Sequence, residues 1–460
     1  WQLRLGPGIG PSDLPVTTLQ NGLQRTHGWN LKTPRGAGEK VLQLALRPGA
    51  AAAGTRPEIG RQAYVIDLGP TRVTVTGNDR PGLFYGVQTL LQLLRSGVGA
   101  RVALPAGRIE DWPDLELREI HWDTKHHQDR LETLKEYLDR AAEFKINAVG
   151  WEIEDKFAYQ KHPVIGAPGA FTGDQVRELV GYARARHIEI IPLLQGPSHM
   201  AYVLKHPQFA GLREDVNNNY MICPSREASW RLIFDMYEEI LAATAGARYF
   251  HVATDEAYFA GQGRECGCAE KAKHGGPSRI FVEFMQRASR YLEERGRQVM
   301  FWGEDPLVAA DIPKLPPTLI DAVAGDNEGE IRAQKAHGMR LLTYTSIQGV
   351  RPLFPEYFPQ NYPEAPSEGR LASLYSQIAF SPARQADLLG TFTAAWDDSG
   401  LHNEVFWLGW VAGSAWAWHP ETPAPEEFTA QFMRLFYGPE AYGMTEVYRL
   451  TDAATQFWAT

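Results

Sequence analysis

The sequence predicts an α/β protein in which a small α/β domain precedes a (β/α)8 barrel. Two observations indicate the barrel: eight segments of strand character follow one another over about 340 residues, and amphipathic helical segments separate several of them. A third observation is the different order of predicted elements in the N-terminal quarter of the chain, where three short strands precede one long helix. We therefore predict the small domain over residues 1–110 and the barrel over residues 111–460.

In the N-terminal part, three segments alternate apolar and polar residues as half-buried strands do: KVLQLAL, AYVIDLG and RVTVTGN. The next segment, RPGLFYGVQTLLQLLRSG, has apolar residues at helical spacing and Pro81 near its start, which is typical of a helix. Pro113 interrupts RIEDWPDLELRE, and the predicted domain boundary lies there.

Several of the predicted barrel strands end in acids or tryptophan, whereas strand ends that only turn the chain favour Gly, Asn and Pro. In a (β/α)8 barrel the C-terminal ends of the strands carry the active site. The sequence therefore predicts a site rich in carboxylates and aromatic rings at this rim. In chain order, the predicted strands are LREIHWD, INAVGWEIED, IEIIPLLQ, RYFHVATDE, QVMFWGED, TLIDAVAGD, RLLTYTS and GTFTAAWDD.

The composition excludes some classes of partner. A net charge of −9 argues against nucleic acid, because phosphate binding needs clustered Lys and Arg. No apolar run approaches the roughly 18 residues of a membrane span. The 13 Trp and 18 Tyr favour a sugar, since aromatic faces stack on its C–H faces. The chain begins at Trp1 rather than Met, so a signal peptide could have been removed; the compartment and the oligomeric state stay open.

The three cysteines, an odd number, are too few for a disulfide framework. Cys266 and Cys268 could hold a metal ion together with His274, but two Cys one residue apart and one distant His match zinc spacing poorly. We therefore predict free thiols, no metal ion and no cofactor.

Two adjacent acids, Asp255 and Glu256, end the predicted strand RYFHVATDE. Like charges raise each other's proton affinity, and burial raises it further. Such a pair occurs either in a solvated turn or at a site that needs a proton held near neutral pH. The surrounding acids and aromatic residues favour the second interpretation.

These motifs resemble glycoside hydrolase family 20, the β-N-acetylhexosaminidases. The segment from AYVIDLG to QTLLQLL resembles the small domain before that family's barrel, and LREIHWD resembles its first barrel strand. RYFHVATDE resembles the signature H-[IV]-G-G-D-E, with Ala253 and Thr254 in place of the two glycines. PLLQGPSHMAYVLKHPQF and ICPSREASW are similar to the hexosaminidase D branch.

The resemblance implies an exo-acting, retaining β-N-acetylhexosaminidase that releases terminal N-acetylglucosamine or N-acetylgalactosamine from an oligosaccharide or smaller substrate. In that family the acetamido oxygen of the substrate attacks the anomeric carbon and forms an oxazolinium intermediate. Glu256 is then the general acid and, later, the base for water. Asp255 binds the acetamide N–H and stabilises the positive charge of the intermediate.

The resemblance also implies three polar contacts. Arg118 matches the family arginine that binds the O3 and O4 hydroxyls of the sugar, although an ion pair with a rim acid would also explain it. Asp155 matches an acid that supports the histidine or the general acid, and it could instead cap a helix. His199 matches the histidine after the third strand, and a purely structural role is the alternative.

The remaining implied residues are three aromatic side chains and the acids near them. Trp396 matches the tryptophan that closes the pocket, and Asp398, two residues later, matches the acid that binds O4 or O6. Trp302 matches the tryptophan that ends the fifth strand, with Glu304 and Asp305 as further rim acids. Tyr344 is the candidate for the hydroxyl that donates to the acetamide oxygen.

The chain also departs from the family. Leu193 and Gln195 stand where the family has acids that orient the histidine, and Lys156 follows Asp155 where a second acid is expected. Two other functions therefore stay open. One is a glycosidase for non-acetylated sugars, in which a second carboxylate about 5–5.5 Å from Glu256 is the nucleophile. The other is a sugar-binding barrel that has lost catalysis.

Overall fold

The computed structural model describes residues 1–32, 40–54, 56–95, 102–325, 327–347, 367–396, 406–441 and 443–459. It contains a five-stranded sheet followed by a closed eight-stranded barrel. The predicted fold class is therefore confirmed. Among the helices in these ranges, none is both long enough and apolar enough to span a membrane.

The N-terminal sheet has the strand order β1-β2-β4-β3-β5, in which β3 runs antiparallel to both neighbours and the other pairs are parallel. The sequence prediction missed its two edge strands, β1 and β5, which have only four and five residues. The strands are β1 (Gln2–Leu5), β2 (Val41–Leu46), β3 (Tyr64–Leu68), β4 (Arg72–Gly77) and β5 (Gly107–Asp111), and the helices are α1 (Leu14–His27), α2 (Pro57–Gln62) and α3 (Arg80–Arg95).

The barrel consists of eight parallel strands, and it closes where the last strand pairs with the first. All eight strands predicted from the sequence are present, although the fourth is short and ends before the paired acids. The strands are β6 (Leu117–Asp123), β7 (Ala148–Glu152), β8 (Glu189–Leu193), β9 (Tyr249–His251), β10 (Gln298–Phe301), β11 (Ile320–Ala324), β12 (Arg340–Ser346) and β13 (Asp387–Ala394).

Amphipathic helices cover the outside of the barrel. In α4, Leu134, Leu138 and Ala141 are fully buried, because residues three and four apart share one face of a helix. The start of α5 is fixed by a capping box between Thr172 and Gln175. The helices of this part are α4 (Leu131–Glu143), α5 (Gly173–Ala185), α6 (Ala201–Leu204), α7 (Glu227–Ala243), α8 (Cys268–Ala272), α9 (Gly276–Glu293), α10 (Glu328–His337), α11 (Ser367–Ala379), α12 (Trp407–Trp418), α13 (Pro425–Phe436) and α14 (Met444–Ala459).

Side-chain alternation along β6 decides which of its residues can reach the barrel interior. The ring of His121 contacts Phe392 inside the barrel, whereas Trp122 packs outward against Tyr137 of α4. Because successive side chains point to opposite sides of a strand, position 123 shares the inward side and position 118 the outward side. The inward residue at the C-terminal end of β6 is therefore Asp123.

Candidate active site

The turn after β9 adopts backbone conformations that favour glycine. Ala253 has φ +53°, Thr254 has φ +91° and Glu256 has φ +52°. Ala253 and Thr254 stand at the two positions where the resembled signature has glycine. A β-branched residue at such a φ is strained by about 1–3 kcal/mol, and such strain persists only where surrounding contacts hold it. Here the Thr254 hydroxyl lies 3.0 Å from the Trp302 carbonyl oxygen and accepts from the Trp302 N–H at 3.2 Å.

This turn brings both acids to one imidazole. His199 Nε2 lies 3.1 Å from Asp255 Oδ2 and 3.4 Å from Glu256 Oε2. Tyr220 completes the group, since its hydroxyl oxygen lies 2.9 Å from His199 Nε2 and 3.1 Å from Glu256 Oε2. The side chain of Glu256 is 47% exposed and that of Asp255 only 13%, so Glu256 faces the open rim and Asp255 lies deeper.

Asp255 combines an ionic contact with an unused acceptor. Its Oδ1 atom is buried and accepts no hydrogen bond from any residue that the structure describes. Burial by itself would lower the pKa of His199, but the hydrogen bond and charge of Asp255 outweigh it and leave the pKa raised. His199 is therefore held by Asp255, and one carboxylate oxygen of Asp255 has no donor among the described residues.

A buried charge network lies next to this group, at the ends of β6, β7 and β8. Glu152 Oε2 lies 3.0 Å from His121 Nε2 and 3.2 Å from Lys125 Nζ, while Gln195 donates to Glu152 Oε1 at 2.6 Å. Lys125 also pairs with Asp123 at 2.9 Å. Burial favours the neutral form of Glu152, but the charge of Lys125 and the bonds from His121 and Gln195 hold its pKa well below the ordinary range.

Aromatic rings form the adjoining wall. The indole N–H of Trp396 donates to the Tyr344 hydroxyl at 2.6 Å, and the ammonium of Lys125 lies 4.6 Å from the centre of the Trp396 ring. Trp302 is fully buried beneath them, edge-on to Tyr344 with a centroid distance of 5.8 Å. The three rings thus lie together at the inner end of the rim, and Trp302 is the most deeply buried of them.

A third carboxylate stands beside the pair. Glu304, just after β10, accepts a hydrogen bond from the backbone N–H of Glu256 at 3.1 Å. Burial, followed by the charges of Asp255 and Glu256, raises the pKa of Glu304 to about 7. This carboxyl therefore holds its proton up to neutral pH.

The chain matches known protein families over both of its domains. A model of the glycosyl hydrolase family 20 catalytic domain matches residues 116–346, and a model of domain 2 of that family matches residues 11–112. The chain belongs to glycoside hydrolase family 20. The resemblance seen in the sequence is thereby confirmed.

Relatives within family 20 are distant in sequence. A beta-hexosaminidase of Porphyromonas gingivalis is 27% identical over 283 residues, which are 53% of this chain and 36% of that protein. Hexosaminidase D of Bos taurus is 27% identical over 235 residues, 49% of this chain and 66% of that protein. The matched regions thus span less than two thirds of either relative.

Solved family 20 structures share the fold. The β-N-acetylhexosaminidase of Streptomyces coelicolor superposes with a TM-score of 0.70 at 20% identity and covers 96% of this chain and 94% of that one. An exo β-N-acetylglucosaminidase of Vibrio harveyi, solved with N-acetylglucosamine, superposes with a TM-score of 0.66 at 16% identity, covering 95% and 73%. At these identities the likeness establishes the architecture alone.

One family 20 residue expected from the sequence is not at the site. Arg118 is the second residue of β6, on its outward side, and is buried at the opposite end of the barrel. Its guanidinium donates to the Lys145 carbonyl at 2.7 Å, to the Leu115 carbonyl at 3.1 Å and to Gln62 Oε1 at 2.7 Å. The prediction that Arg118 binds sugar hydroxyls is therefore wrong. It joins the barrel to α2 of the N-terminal domain.

We expect Arg118→Met to destabilise the protein by about 3–5 kcal/mol, because several buried acceptors lose their donor. The kcat/KM of the folded enzyme should stay within about twofold, since the side chain lies far from the acid pair. Urea denaturation and steady-state kinetics measure the two effects. The exposed Arg25→Met is the matched control, with an expected loss below about 0.5 kcal/mol. A raised KM with unchanged stability would restore the sugar-binding role.

Asp155 also lies outside the acid group. It belongs to a short 3-10 helix, Glu154–Lys156, where its Oδ1 pairs with Lys156 Nζ at 2.6 Å and its Oδ2 lies 3.9 Å from Lys205. Lys156, the residue that departs from the family pattern, thus binds this carboxylate. The prediction that Asp155 supports His199 or Glu256 is not met, because its charge is neutralised locally. Asp398 lies outside the described residues.

Tyr220, Glu152 and Lys125 were missed by sequence reasoning. Tyr220 belongs to a polar loop, far from any strand end, and no local pattern marks it. Lys125 and Glu152 could have been found, because both stand at or just after the ends of predicted barrel strands. Gln195 was expected to leave His199 without orienting charge. It instead binds Glu152, and Asp255 orients His199.

Glu304→Gln should change the pH dependence of activity. Above pH 7 the ionised Glu304 adds a negative charge beside the acid pair. The Gln variant keeps the acceptor for the Glu256 N–H and lacks this charge. We expect the alkaline limb of the kcat/KM profile to move to lower pH by about 0.5–1 unit, with the exposed Glu328→Gln as an unshifted control. Superimposable profiles would contradict this coupling.

The same group links stability to pH. The pKa of Glu304 in the folded state, about 7, lies above its ordinary value of 4.5. Its contribution to the free energy of unfolding is therefore fully present below pH 4.5 and is lost as the pH rises through 7. Denaturant titrations should show that Glu304→Gln gains stability relative to the parent over this range.

Proposed function

We propose that the protein is an exo-acting, retaining β-N-acetylhexosaminidase that works by substrate-assisted catalysis. The observation that carries the proposal is the acid pair. Asp255 offers a buried, unused oxygen, and Glu256 stands beside it at the open rim. In a substrate-assisted reaction one carboxylate must accept from the acetamide N–H, and a second acid must reach the glycosidic oxygen. The pair meets both requirements.

In the proposed reaction, the glycosidic oxygen takes the proton of Glu256 while the acetamido oxygen attacks the anomeric carbon. The aglycone leaves, and an oxazolinium ion forms. Asp255 accepts the acetamide N–H through Oδ1 and stabilises the positive charge. Glu256, now ionised, takes a proton from the water that opens the ring. His199 and Tyr220 hold both acids in place during these steps.

We assign the sugar pocket to the aromatic wall and the adjacent network. Trp396 packs against the acetamide methyl group, and the Tyr344 hydroxyl donates to the acetamido oxygen, which aims it at the anomeric carbon. Trp302 supports both rings from below. Lys125 lies beside Trp396 and contacts the ring hydroxyls, the role that the resemblance had given to Arg118, while the buried Glu152 holds Lys125 in place.

The two-carboxylate alternative is less well supported by Glu304 and Asp155. A nucleophilic carboxylate must be ionised, and Glu304 holds its proton to about pH 7. Asp155 is bound by Lys156. The inactive sugar-binding barrel is not favoured either, because binding alone does not require an exposed acid beside a buried one.

The test is a release assay with aryl N-acetyl-β-glucosaminide, aryl N-acetyl-β-galactosaminide and the matching glycosides that lack the acetamide. We expect turnover of the N-acetyl substrates and at least about a hundredfold lower kcat/KM for the others. Comparable turnover of non-acetylated glycosides would overturn the mechanism. Failure to turn over any of them, with sugar binding retained, would support the binding barrel.

A further inference from the structure

The three cysteines converge with one glutamate behind the acid pair. Cys223 Sγ lies 3.5 Å from Cys268 Sγ, and Cys266 Sγ lies 3.5 Å from Glu214 Oε2. All four ligand atoms lie within 4.8 Å of one another. His274, considered with the CGC motif in the sequence, is not a member of this group. We propose that these four side chains bind one Zn²⁺ ion.

The spacing of the four groups matches a tetrahedral site. Zinc binds thiolate sulfur at about 2.3 Å and carboxylate oxygen at about 2.0–2.2 Å, which places neighbouring ligand atoms about 3.3–3.8 Å apart. The two 3.5 Å separations lie in this range. Three sulfur ligands select zinc or another thiophilic ion over Mg²⁺ and Ca²⁺.

The burial of Glu214 also favours a cation. Glu214 is only 3% exposed, and no Lys or Arg among the described residues forms an ion pair with it. A buried carboxylate surrounded by three thiols is costly unless a positive charge accompanies it. A disulfide between Cys223 and Cys268 would join two sulfurs and would leave Glu214 and Cys266 paired only with each other and with the Gly263 backbone. One divalent ion satisfies all four.

The loop that carries the CGC motif is built around this point. Gly267, between the two cysteines, has φ +80°, a conformation that turns both thiols toward the same side. A Cβ atom on Gly263 would lie 2.5 Å from Cys266 Sγ and 2.9 Å from Glu214 Cδ, so only glycine fits there. The Gly263 N–H donates to Glu214 Oε1 at 3.0 Å and leaves Oε2 directed toward Cys266.

The ion would fasten two loops that support the acid pair. Glu214 and Cys223 enclose the loop that carries Tyr220, while Cys266 and Cys268 follow the segment after Glu256. Tyr220 reaches Glu256 Oε2 at 3.1 Å from this loop. Metal binding therefore positions Tyr220, a consequence for activity that rests on the proposed function. The metal site itself does not depend on it.

Metal analysis of the purified chain tests the site without an activity assay. We expect about one zinc ion per chain and, after exchange with Co²⁺, the thiolate charge-transfer and strong visible bands of a tetrahedral cobalt site. Cys266→Ser and Glu214→Gln should raise the zinc dissociation constant at least about tenfold, whereas Glu265→Gln, an exposed neighbour, should leave it unchanged.

Three outcomes would overturn the proposal: no zinc in the purified chain and none taken up from added Zn²⁺, unchanged zinc affinity in both ligand variants, or a Cys223–Cys268 disulfide found by mass spectrometry. If the variants fail to fold, the metal content and the cobalt spectrum of the parent decide whether the four side chains bind zinc. Removal of zinc by a chelator should also lower the melting temperature of the parent. An inactive parent that still binds zinc would refute the proposed function and leave this site standing.

Discussion

Replacing Glu256 with Gln should lower kcat/KM for an aryl N-acetyl-β-glucosaminide by roughly 10²–10⁴-fold. The amide keeps the size of the side chain and its contact with Tyr220, but it cannot deliver a proton to the glycosidic oxygen. Because the side chain is half exposed at the rim, the substitution should leave the free energy of unfolding within about 0.5 kcal/mol. Steady-state kinetics and urea denaturation measure the two quantities.

The leaving group distinguishes a general acid from a residue that only shapes the pocket. A dinitrophenolate departs without much help from a proton, whereas an alkyl aglycone needs one. The loss in kcat/KM caused by Glu256→Gln should therefore be smallest for the dinitrophenyl substrate and largest for the alkyl one. Glu328→Gln, which changes an exposed carboxylate paired with Arg332, should change neither. Equal losses for both leaving groups would reject Glu256 as the acid.

The barrel could be predicted because its signal is repeated. Each strand carries a short apolar run, each helix places apolar residues on one face, and eight such units allow few other closures. The edge strands β1 and β5 of the first sheet lack this redundancy, and the sequence did not reveal them. The acid pair was equally visible, since two adjacent carboxylates after a buried strand have few structural explanations.

Arg118 shows where a matched motif is not sufficient. The residue occupies the expected place in LREIHWD, yet strand direction and alternation put it on the outward side at the N-terminal end of β6. The inward position at the other end belongs to Asp123, which pairs with Lys125. Successive side chains of a strand point to opposite sides, and this rule, applied to the sequence, excludes Arg118 from the site. The positively charged group would then have been expected among the residues just after the strand.

Contacts made between loops could not be predicted at all. Tyr220 reaches Glu256 from a loop 36 residues earlier, and Cys223 meets Cys268 across 45 residues. Neither spacing follows any secondary-structure period, because it depends on the lengths of the loops after β8 and β9. The cysteines looked like isolated thiols for the same reason, as only one pair is close in sequence.

Asp255→Asn is expected to lower kcat/KM for N-acetyl substrates by at least about a hundredfold, because it removes the charge that stabilises the oxazolinium ion. A thiazoline that mimics this intermediate should lose a similar factor in affinity, since it is bound by the same charge. The exposed rim acid Asp305 supplies the control, and Asp305→Asn should lose less than about tenfold. If Asp255→Asn and Asp305→Asn lost the same factor in kcat/KM, the loss would result from the overall negative charge of the rim and not from a specific role of Asp255.

A second measurement on Asp255→Asn is independent of turnover. Burial lowers the pKa of His199, whereas the hydrogen bond and charge of Asp255, followed by the charge of Glu152, raise it. The amide removes the charge and leaves the burial, so the pKa of His199 should fall in the variant and stay unchanged in Asp305→Asn. An NMR titration of the His199 ring resonances measures both. An unchanged pKa in Asp255→Asn would mean that the two side chains are not in contact, and the assignment of Asp255 to the acetamide N–H would then lose its structural basis.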